Sequence, residues 1–513
     1  MTVELKAKSP GGKIRFTLDG SDPAAASPEY TEPLTIDSTT LVKAKTFEAG
    51  VAPSLTVAQA YTQLDSSLAT FTSNLPLVII NTYGQPVSKE QSVTASLRVI
   101  EPSPKRSSLP GKSGFDGQCE IKLRGYSSLR QPKRSFTIKT RDGAGQPLST
   151  PLLGMPKDSD WVLYAPYSDK TLMRDVLAYE LSNKLGRYAA RTRFVEVFLV
   201  RNNGKLSKRD YVGVYVLEEK IKRSPDRVRI QKLTPEDKAE PEITGGYIFQ
   251  RDHENPPGDM PFGFFGQNQG GSSPELGFRT SRGVRLFYVD PKEADMTAAQ
   301  KTWLSRYLNQ FERALYGANF RDPNEGYAKF LDVDSFIDQF WIVELSKNVD
   351  GFRYSCYMTK DRGGKIKLEP IWDWNLSFGN ANYHEGWMTD RWYWRLLRPN
   401  EISWFRRLSQ DPEFMQRLAA RWLELRKDVL SPQSIQHRID EIAEELREAQ
   451  KRNFQRWPIL GQSVNPNWFV GSSYQEEVDW MKNWIEERIA WIDSQFQGDR
   501  LKSPRARSGD DEQ

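Results

Sequence analysis

Histidine and cysteine are scarce in these 513 residues, with three of the former and two of the latter. Cys119 and Cys356 lie far apart, so neither a disulfide framework nor a CxxC metal knuckle is available, and two buried free thiols are expected. His253, His384 and His437 share no helical or hairpin spacing, which argues against a zinc site of paired imidazoles. No GxSxG elbow accompanies any of them, so a Ser-His-Asp hydrolase lacks its nucleophile signal. Long apolar runs are missing as well. Nothing approaches the roughly 18 residues of a spanning helix, and the first five residues lack the apolar stretch of a signal peptide. A longer precursor carrying such a peptide is still expected, because the first strand begins almost at once. An excess of one charge is also missing: 72 Lys plus Arg against 67 Asp plus Glu leaves +5, which calls for neither nucleic acid nor an anionic membrane. Acid-base chemistry is left to carboxylates.

What is present is a soluble composition, 27% charged and 38% hydrophobic, long enough for two or three domains. Residues 12–63 alternate in short β runs, as in Lys13-Ile14-Arg15-Phe16-Thr17-Leu18 and Leu41-Val42-Lys43-Ala44-Lys45. Between the first runs, Asp19-Gly20-Ser21-Asp22-Pro23 supplies turn geometry. A small β-sandwich is expected. The string from Phe16 to Pro23, with Ser27-Pro28-Glu29-Tyr30 and Ala52-Pro53-Ser54 after it, resembles the chitobiase/β-hexosaminidase C-terminal type of immunoglobulin-like module. That resemblance implies a spacer or glycan contact beside an extracellular bacterial enzyme. The absence of Trp from the strip favours the spacer. Residues 64–74 read as a linker.

Beyond it, Leu75 to Thr82 reads as a buried strand, followed by strands at 96–100, 119–124, 135–140, 194–200 and 211–217. One helix interrupts them, running from Leu172 to Leu185 with Gly186 at its C-cap. After about residue 295 the spacing turns helical: Trp303, Tyr307, Phe311, Leu315, then Phe336, Phe340, Val343. Three helices close the chain at 412–427, 432–450 and 475–496, two of them opened by Pro after Asp411 or Ser431. Residues 266–274 form a Gly-, Gln- and Ser-rich loop and 498–513 a charged tail expected to be disordered. Strands first and helices second give an α+β body with a cleft between the halves, where a nucleotide would sit.

Two carboxylates stand out in that cleft. Asp350 ends a helix, and Asp373 follows a hairpin whose strands, 354–359 and 365–369, are turned by Asp361-Arg362-Gly363-Gly364. The hairpin can bring both acids to one mouth. Acids set among Trp372, Trp374 and Phe378 need a cation or a proton. Mg²⁺ suits them because it takes hard oxygen ligands and keeps waters and substrate phosphates, and Asn375 could add an amide oxygen. The alternative is that Asp373 and Asn375 only cap turns.

Several segments in order resemble the CotH kinase family, the spore coat protein H type. They are Arg124-Gly125-Tyr126-Ser127-Ser128, Pro132-Lys133-Arg134-Ser135-Phe136, Asp169 to Asp175, Gly213 to Glu219, Asn348-Val349-Asp350 and Trp372 to Gly379. The resemblance covers about 75–496 and implies a two-lobed, atypical protein-kinase-like fold. Its β-rich lobe would span about 75–290 and its helical lobe about 291–496, with residues 1–63 as the amino-terminal sandwich and 497–513 as the tail. It also implies ATP and Mg²⁺ as cofactors and Ser or Thr hydroxyls of secreted or coat proteins as acceptors, which places the protein outside the cell or in its envelope.

In that family's terms Asp350 would be the catalytic aspartate and Asp373 the metal-binding one. Arg124, Lys133 and Arg134 would neutralise phosphates, with Lys139 as a competitor, Glu219 as the ion-pair partner of the chosen lysine, and Arg174 as a second phosphate contact. The chain departs from the family where Asn375 replaces the second acid of a DxD and where Ser355 replaces an Asn. Each change weakens the expected metal affinity. A kinase therefore competes with two other readings: nucleotidyl (AMP) transfer on the same fold, and a pseudokinase that binds a glycan or partner through its module and the aromatic stretch 387–394.

Overall fold

A computed structural model describes residues 1–8, 11–202, 204–252 and 277–496. His253, the loop at 266–274 and the tail from 497 lie outside the described residues. Three antiparallel strands open the chain, β1 (Lys13–Thr17), β2 (Thr40–Phe47) and β3 (Val57–Tyr61), with β2 in the middle. A second, two-stranded sheet pairs Thr2–Val3 with Leu34–Thr35. Between them Val3, Ile36 and Val42 form a small core. The expected turn is present: Asp19 Oδ1 accepts from the Ser21 amide at 2.9 Å, and Gly20 takes φ +84°.

The segment 64–74 connects module to body, yet it is packed. Leu68 and Leu75 are buried, the Phe71 ring meets Phe198 edge-on at 5.2 Å, and Thr72–Ser73 pairs with Ser107–Ser108. Apolar side chains at 68, 71 and 75 give it something to bury, which a free linker lacks.

The body begins with a closed barrel of seven strands: β4 (Leu77–Asn81), β5 (Val93–Ile100), β6 (Phe115–Arg124), β7 (Ser135–Arg141), β8 (Asp160–Tyr164), β9 (Thr192–Val200) and β10 (Tyr211–Glu219). Round the barrel the order is β6-β7-β8-β10-β9-β4-β5. Strand directions cannot alternate around an odd ring, so one neighbouring pair must be parallel; it is β9 with β4. The pleat sends Val78, Ile80, Ile121, Phe136, Ile138, Trp161, Leu163, Tyr215 and Leu217 into the lumen. Strands β4 and β10 are covered on their outer faces too, which explains their unbroken apolar runs.

The outer face of β10, through Val214 and Val216, joins the large core of the helical body. That body holds α1 (Arg174–Lys184) and a five-stranded sheet of β11 (Tyr247–Arg251), β12 (Phe278–Arg279), β13 (Arg285–Asp290), β14 (Cys356–Lys360) and β15 (Ile366–Lys367), in the order β12-β13-β11-β14-β15. The sheet draws strands from both sides of residue 290. Around it stand α2 (Ala298–Tyr316), α3 (Val333–Ser346), α4 (Pro412–Leu425), α5 (Pro432–Leu446), α6 (Ala449–Arg456) and α7 (Tyr474–Ser494). Thr297 and Gln300 form a capping box on α2, and Asp411 and Ser431 cap α4 and α5 ahead of their prolines. The helix expected over 432–450 stops at Leu446 and a new one starts at Ala449. Of the aromatic stretch 387–394, Tyr393 and Trp394 are buried core.

Candidate functional site

A cavity of about 430 Å³ opens where the barrel wall meets the helical body. Outward-facing residues of three barrel strands form one side: Arg124 at the end of β6, Tyr164 at the end of β8 and Glu218 on β10. Gly125 follows Arg124 at φ +110°, where a Cβ would meet Ser128 Oγ at 2.0 Å, so only glycine permits the tight turn of 127–130 over the cavity. The other side comes from α1 (Asp175, Tyr179), the turn after α3 (Asp350, Tyr354, Ser355) and the segment after the hairpin (Trp372, Asp373, Asn375).

One side chain joins the two expected acids. Buried Asn348 accepts the Asp350 amide on Oδ1 at 3.0 Å and donates from Nδ2 to the Asp373 carbonyl at 3.0 Å. Asp373 has φ +67°, a left-handed conformation that costs a non-glycine residue about 1 kcal/mol or more unless its surroundings impose it. They do so from three directions: its amide donates to the Tyr179 hydroxyl at 3.0 Å, Asn348 holds its carbonyl, and the next amide, of Trp374, donates to Asp175 Oδ1. The Trp374 indole then donates to Ser346 Oγ at 2.9 Å, which fixes the segment to the end of α3.

The acids run in series through the cavity, each acting on the next. Burial and then the charge of Asp350 push the Asp373 carboxyl up to about 6, while Arg124 opposes the rise. Asp373 is surrounded by protein yet faces the open cavity space, so solvent and ligand reach it. Asp175 is raised well above the carboxylate range by burial and then by Asp373. Glu218 is raised likewise by burial and then by Asp175, with Arg124 again opposing. Burial also raises Asp350, offset by Arg353, whose guanidinium lies 3.3 Å from Oδ1. Four carboxylates, with Arg124 and Arg353 as the cations that bear on them, form a site that favours protons or added cations.

Of the residues singled out in the sequence, Asp350, Asp373, Asn375, Ser355, Arg124 and Lys133 line this cavity. Arg124 lies over the Trp372 ring at 5.0 Å. Lys133 is present in a different capacity: its Nζ donates to the carbonyls of Pro166 and Val214 and to Asn453 Oδ1, and burial drives its pKa well below the ordinary lysine value. Three donors are thus already spent on protein acceptors.

The remaining four lie elsewhere. Arg134 does not line the cavity. Lys139 stands on the outer barrel face, in register with Glu120 and Asp160. Arg174 is a buried clamp, paired with Asp169 at 2.5 Å and donating from Nε to the Ser377 carbonyl at 3.0 Å. Glu219 points away from the cavity to Arg191 at 2.7 Å and the Tyr188 hydroxyl at 3.1 Å. Its neighbour Glu218 is the one that faces the cavity. Sequence reasoning missed Glu218 and Asp175; the strand's period of two, counted from inward Tyr215 and Leu217, was the available signal for Glu218.

Two oxygens test whether a metal suits the site. Asp175 Oδ2 and Glu218 Oε1 are buried without a hydrogen-bond partner among the described residues. Tyr164 approaches Asp175 without completing such a bond there. No group of three or more Asp, Glu, His or Cys side chains converges tightly enough to cage an ion among the described residues. A hard cation held by one or two carboxylates, with waters and substrate phosphates completing its shell, is the arrangement that these residues fit.

An acidic cleft with an arginine on the facing wall is suited to a cation and a polyanion together, and it sits on a mixed α+β scaffold. The chain belongs to the CotH kinase protein family, whose model matches residues 121–492. Residues 1–59 match the chitobiase/beta-hexosaminidase C-terminal domain. Among curated proteins none matches the chain. No helix among the described residues is long and apolar enough to cross a membrane.

Proposed function

We propose that the protein transfers the γ-phosphoryl group of ATP to a Ser or Thr hydroxyl of a secreted or surface protein. The observation that carries this reading is the Asn348 bridge, which sets Asp350 and Asp373 at fixed positions on one side of a cavity whose other side presents Arg124. Phosphoryl transfer asks the protein for positioning and charge neutralisation more than for covalent chemistry. Asp350 orients the acceptor hydroxyl and takes its proton. The raised pKa of Asp350 makes it the better base, and Arg353, itself held by Glu401 at 3.0 Å, fixes one carboxylate oxygen. Arg124, with Arg130 on the same rim, receives phosphate charge, since Lys133 is already engaged. Asp373 would hold Mg²⁺, with Asn375 and the Ser355 hydroxyl lining the same cavity; when bound, the ion neutralises phosphate oxygens.

The amino-terminal module, read as immunoglobulin-like, serves as a spacer that presents the body outside the cell. Transfer of label from γ-labelled ATP to a casein-like or coat-like protein, dependent on Mg²⁺ and lost in Asp350→Asn and Asp373→Ala, tests the reading. Label appearing only from the α-phosphate would replace it with nucleotidyl transfer. No transfer above the two variants on any such substrate would leave a binding protein.

A further inference from the structure

Of the 15 tryptophans Trp468 is the most exposed, at 47%. It has aromatic company. Its ring lies flat against that of half-buried Trp387, with centroids 4.2 Å apart and planes 13° from parallel, and the next residue, Phe469, stacks in the same way on Trp480 at 4.7 Å. Val470, 37% exposed, extends the face. A single exposed apolar residue is ordinary, but a group of them marks a place where something binds.

The face borders the cavity on the side of Asp350, and both of its chain segments lead there. Asn465 and Pro466 line the cavity, and Trp468 follows two residues after Pro466, its amide donating to the Asn380 carbonyl at 2.9 Å. In the other segment Gly386, just before Trp387, packs so closely on Val349, the neighbour of Asp350, that a Cβ would come 2.9 Å from Val349 Cγ1. The backbone beneath is fixed from behind. Lys347 Nζ donates to the carbonyls of Glu385, Met388 and Asp390 at 3.3, 2.9 and 2.7 Å. Arg488 Nη1 donates to those of Thr389 and Arg391 at 3.0 and 2.7 Å, and the Trp484 indole to that of Trp387 at 2.8 Å. All three donors belong to buried residues. A face ordered in advance loses little freedom when a partner docks.

We propose that this face holds the acceptor polypeptide, gripping an aromatic or large aliphatic side chain a few residues away from the Ser or Thr that is modified. The proposal rests on the transfer reading above, in which Asp350 orients that hydroxyl. A chain whose hydroxyl lies at Asp350 must leave the cavity over its rim, and residues 465–470 supply a rim without a single charged side chain. The rim therefore selects apolar bulk rather than charge. Aromatic anchors suit such contacts because they bury a large area and have few rotamers to lose. A sugar is the poorer fit, since the side chains of Phe469 and Val470 offer its hydroxyls no hydrogen bond.

Ser peptides in which each neighbouring position is varied in turn to Phe, Leu, Ala, Asp or Lys test the proposal on the full chain. They are read once by binding without nucleotide, through fluorescence anisotropy, and once by transfer from ATP. The parent should favour Phe or Leu over Ala at one position by about tenfold. Trp468→Ala should erase that preference and raise KM for the favoured peptide about tenfold with a smaller change in kcat, whereas Trp468→Phe should keep most of it. A preference that survives in Trp468→Ala, or a parent with no apolar preference, overturns the proposal. Binding of a soluble chito-oligosaccharide, lost in Trp468→Ala and matched by no peptide, would make the face a glycan site and overturn it as well. A peptide preference in binding with no transfer at all refutes the transfer reading and supports the docking of an apolar side chain; transfer without preference refutes the docking alone.

Discussion

Replacing Asn348 with alanine isolates the feature on which the site depends. The side chain is 1% exposed and makes two bonds, accepting the Asp350 amide and donating to the Asp373 carbonyl, both at 3.0 Å. Each bond contributes about 1 kcal/mol net, and a buried group left without its partner costs about 1–3 kcal/mol. Two such groups would cost roughly 2–6 kcal/mol if both stayed dry. The adjoining cavity of about 430 Å³ admits water to the orphaned groups, so the lower end, about 2 kcal/mol, is expected. Asp373 also loses one of the contacts that hold its left-handed backbone, so the two carboxylates drift apart. Misplacing a catalytic group by an ångström costs about a hundredfold in rate. Urea unfolding should therefore show a loss near 2 kcal/mol, and transfer assays a fall in kcat of about a hundredfold with a smaller change in KM. Asn348→Asp retains the acceptor, loses the donor and adds a fifth acid, so it should not rescue kcat. A kcat within threefold of the parent in Asn348→Ala would refute the bridging role.

Asp373 gives a pH signature. Its folded pKa, raised from 3.8 to about 6, means that its contribution to stability is full below about 4 and is lost as pH rises through 6, because only the ionised form is penalised. Melting of the metal-free chain in chelator should show that loss between pH 4 and 6, and Asp373→Asn should remove it; identical profiles would contradict the shift. Arg174→Ala leaves Asp169 buried and unpaired, at a cost of about 3–5 kcal/mol, so it should lower the melting temperature steeply. A folded Arg174→Ala with only a raised KM for ATP would restore the phosphate-contact role. Lys139→Ala, on the outer barrel face, should change ATP affinity by less than twofold in calorimetry.

Order and type of element were largely legible because they follow from periodicity and caps. Examples are the strand at 135–140, the helix before Gly186, and the Gly363 turn that brings Asp373 back beside Asp350. Closure of the barrel was not legible, since it depends on the pairing of β9 with β4 across more than a hundred residues, which leaves no local mark. The strand Asp160–Tyr164 passed unnoticed in the sequence, although its Trp161 and Leu163 fill the lumen. In the site, the acids fixed by a turn, Asp350 and Asp373, were found, and the acid fixed by a strand face, Glu218, was not. Glu218 and Glu219 differ by one step on a strand, and that step decides between the cavity and Arg191. Basic residues misled for a related reason: Lys133 and Arg174 sit close to the cleft in sequence terms, but local pattern cannot show that carbonyls and Asp169 already occupy them.

The central claim is that this cleft binds ATP through a metal held by its carboxylates. Titrating ATP with and without Mg²⁺ while following thermal unfolding tests it most directly. Saturation to a hundred times the dissociation constant should stabilise the folded chain by about 2.7 kcal/mol with Mg²⁺ present, far less without it, and not at all in Asp373→Ala. Equal stabilisation with and without Mg²⁺, or none in either case, would contradict the account.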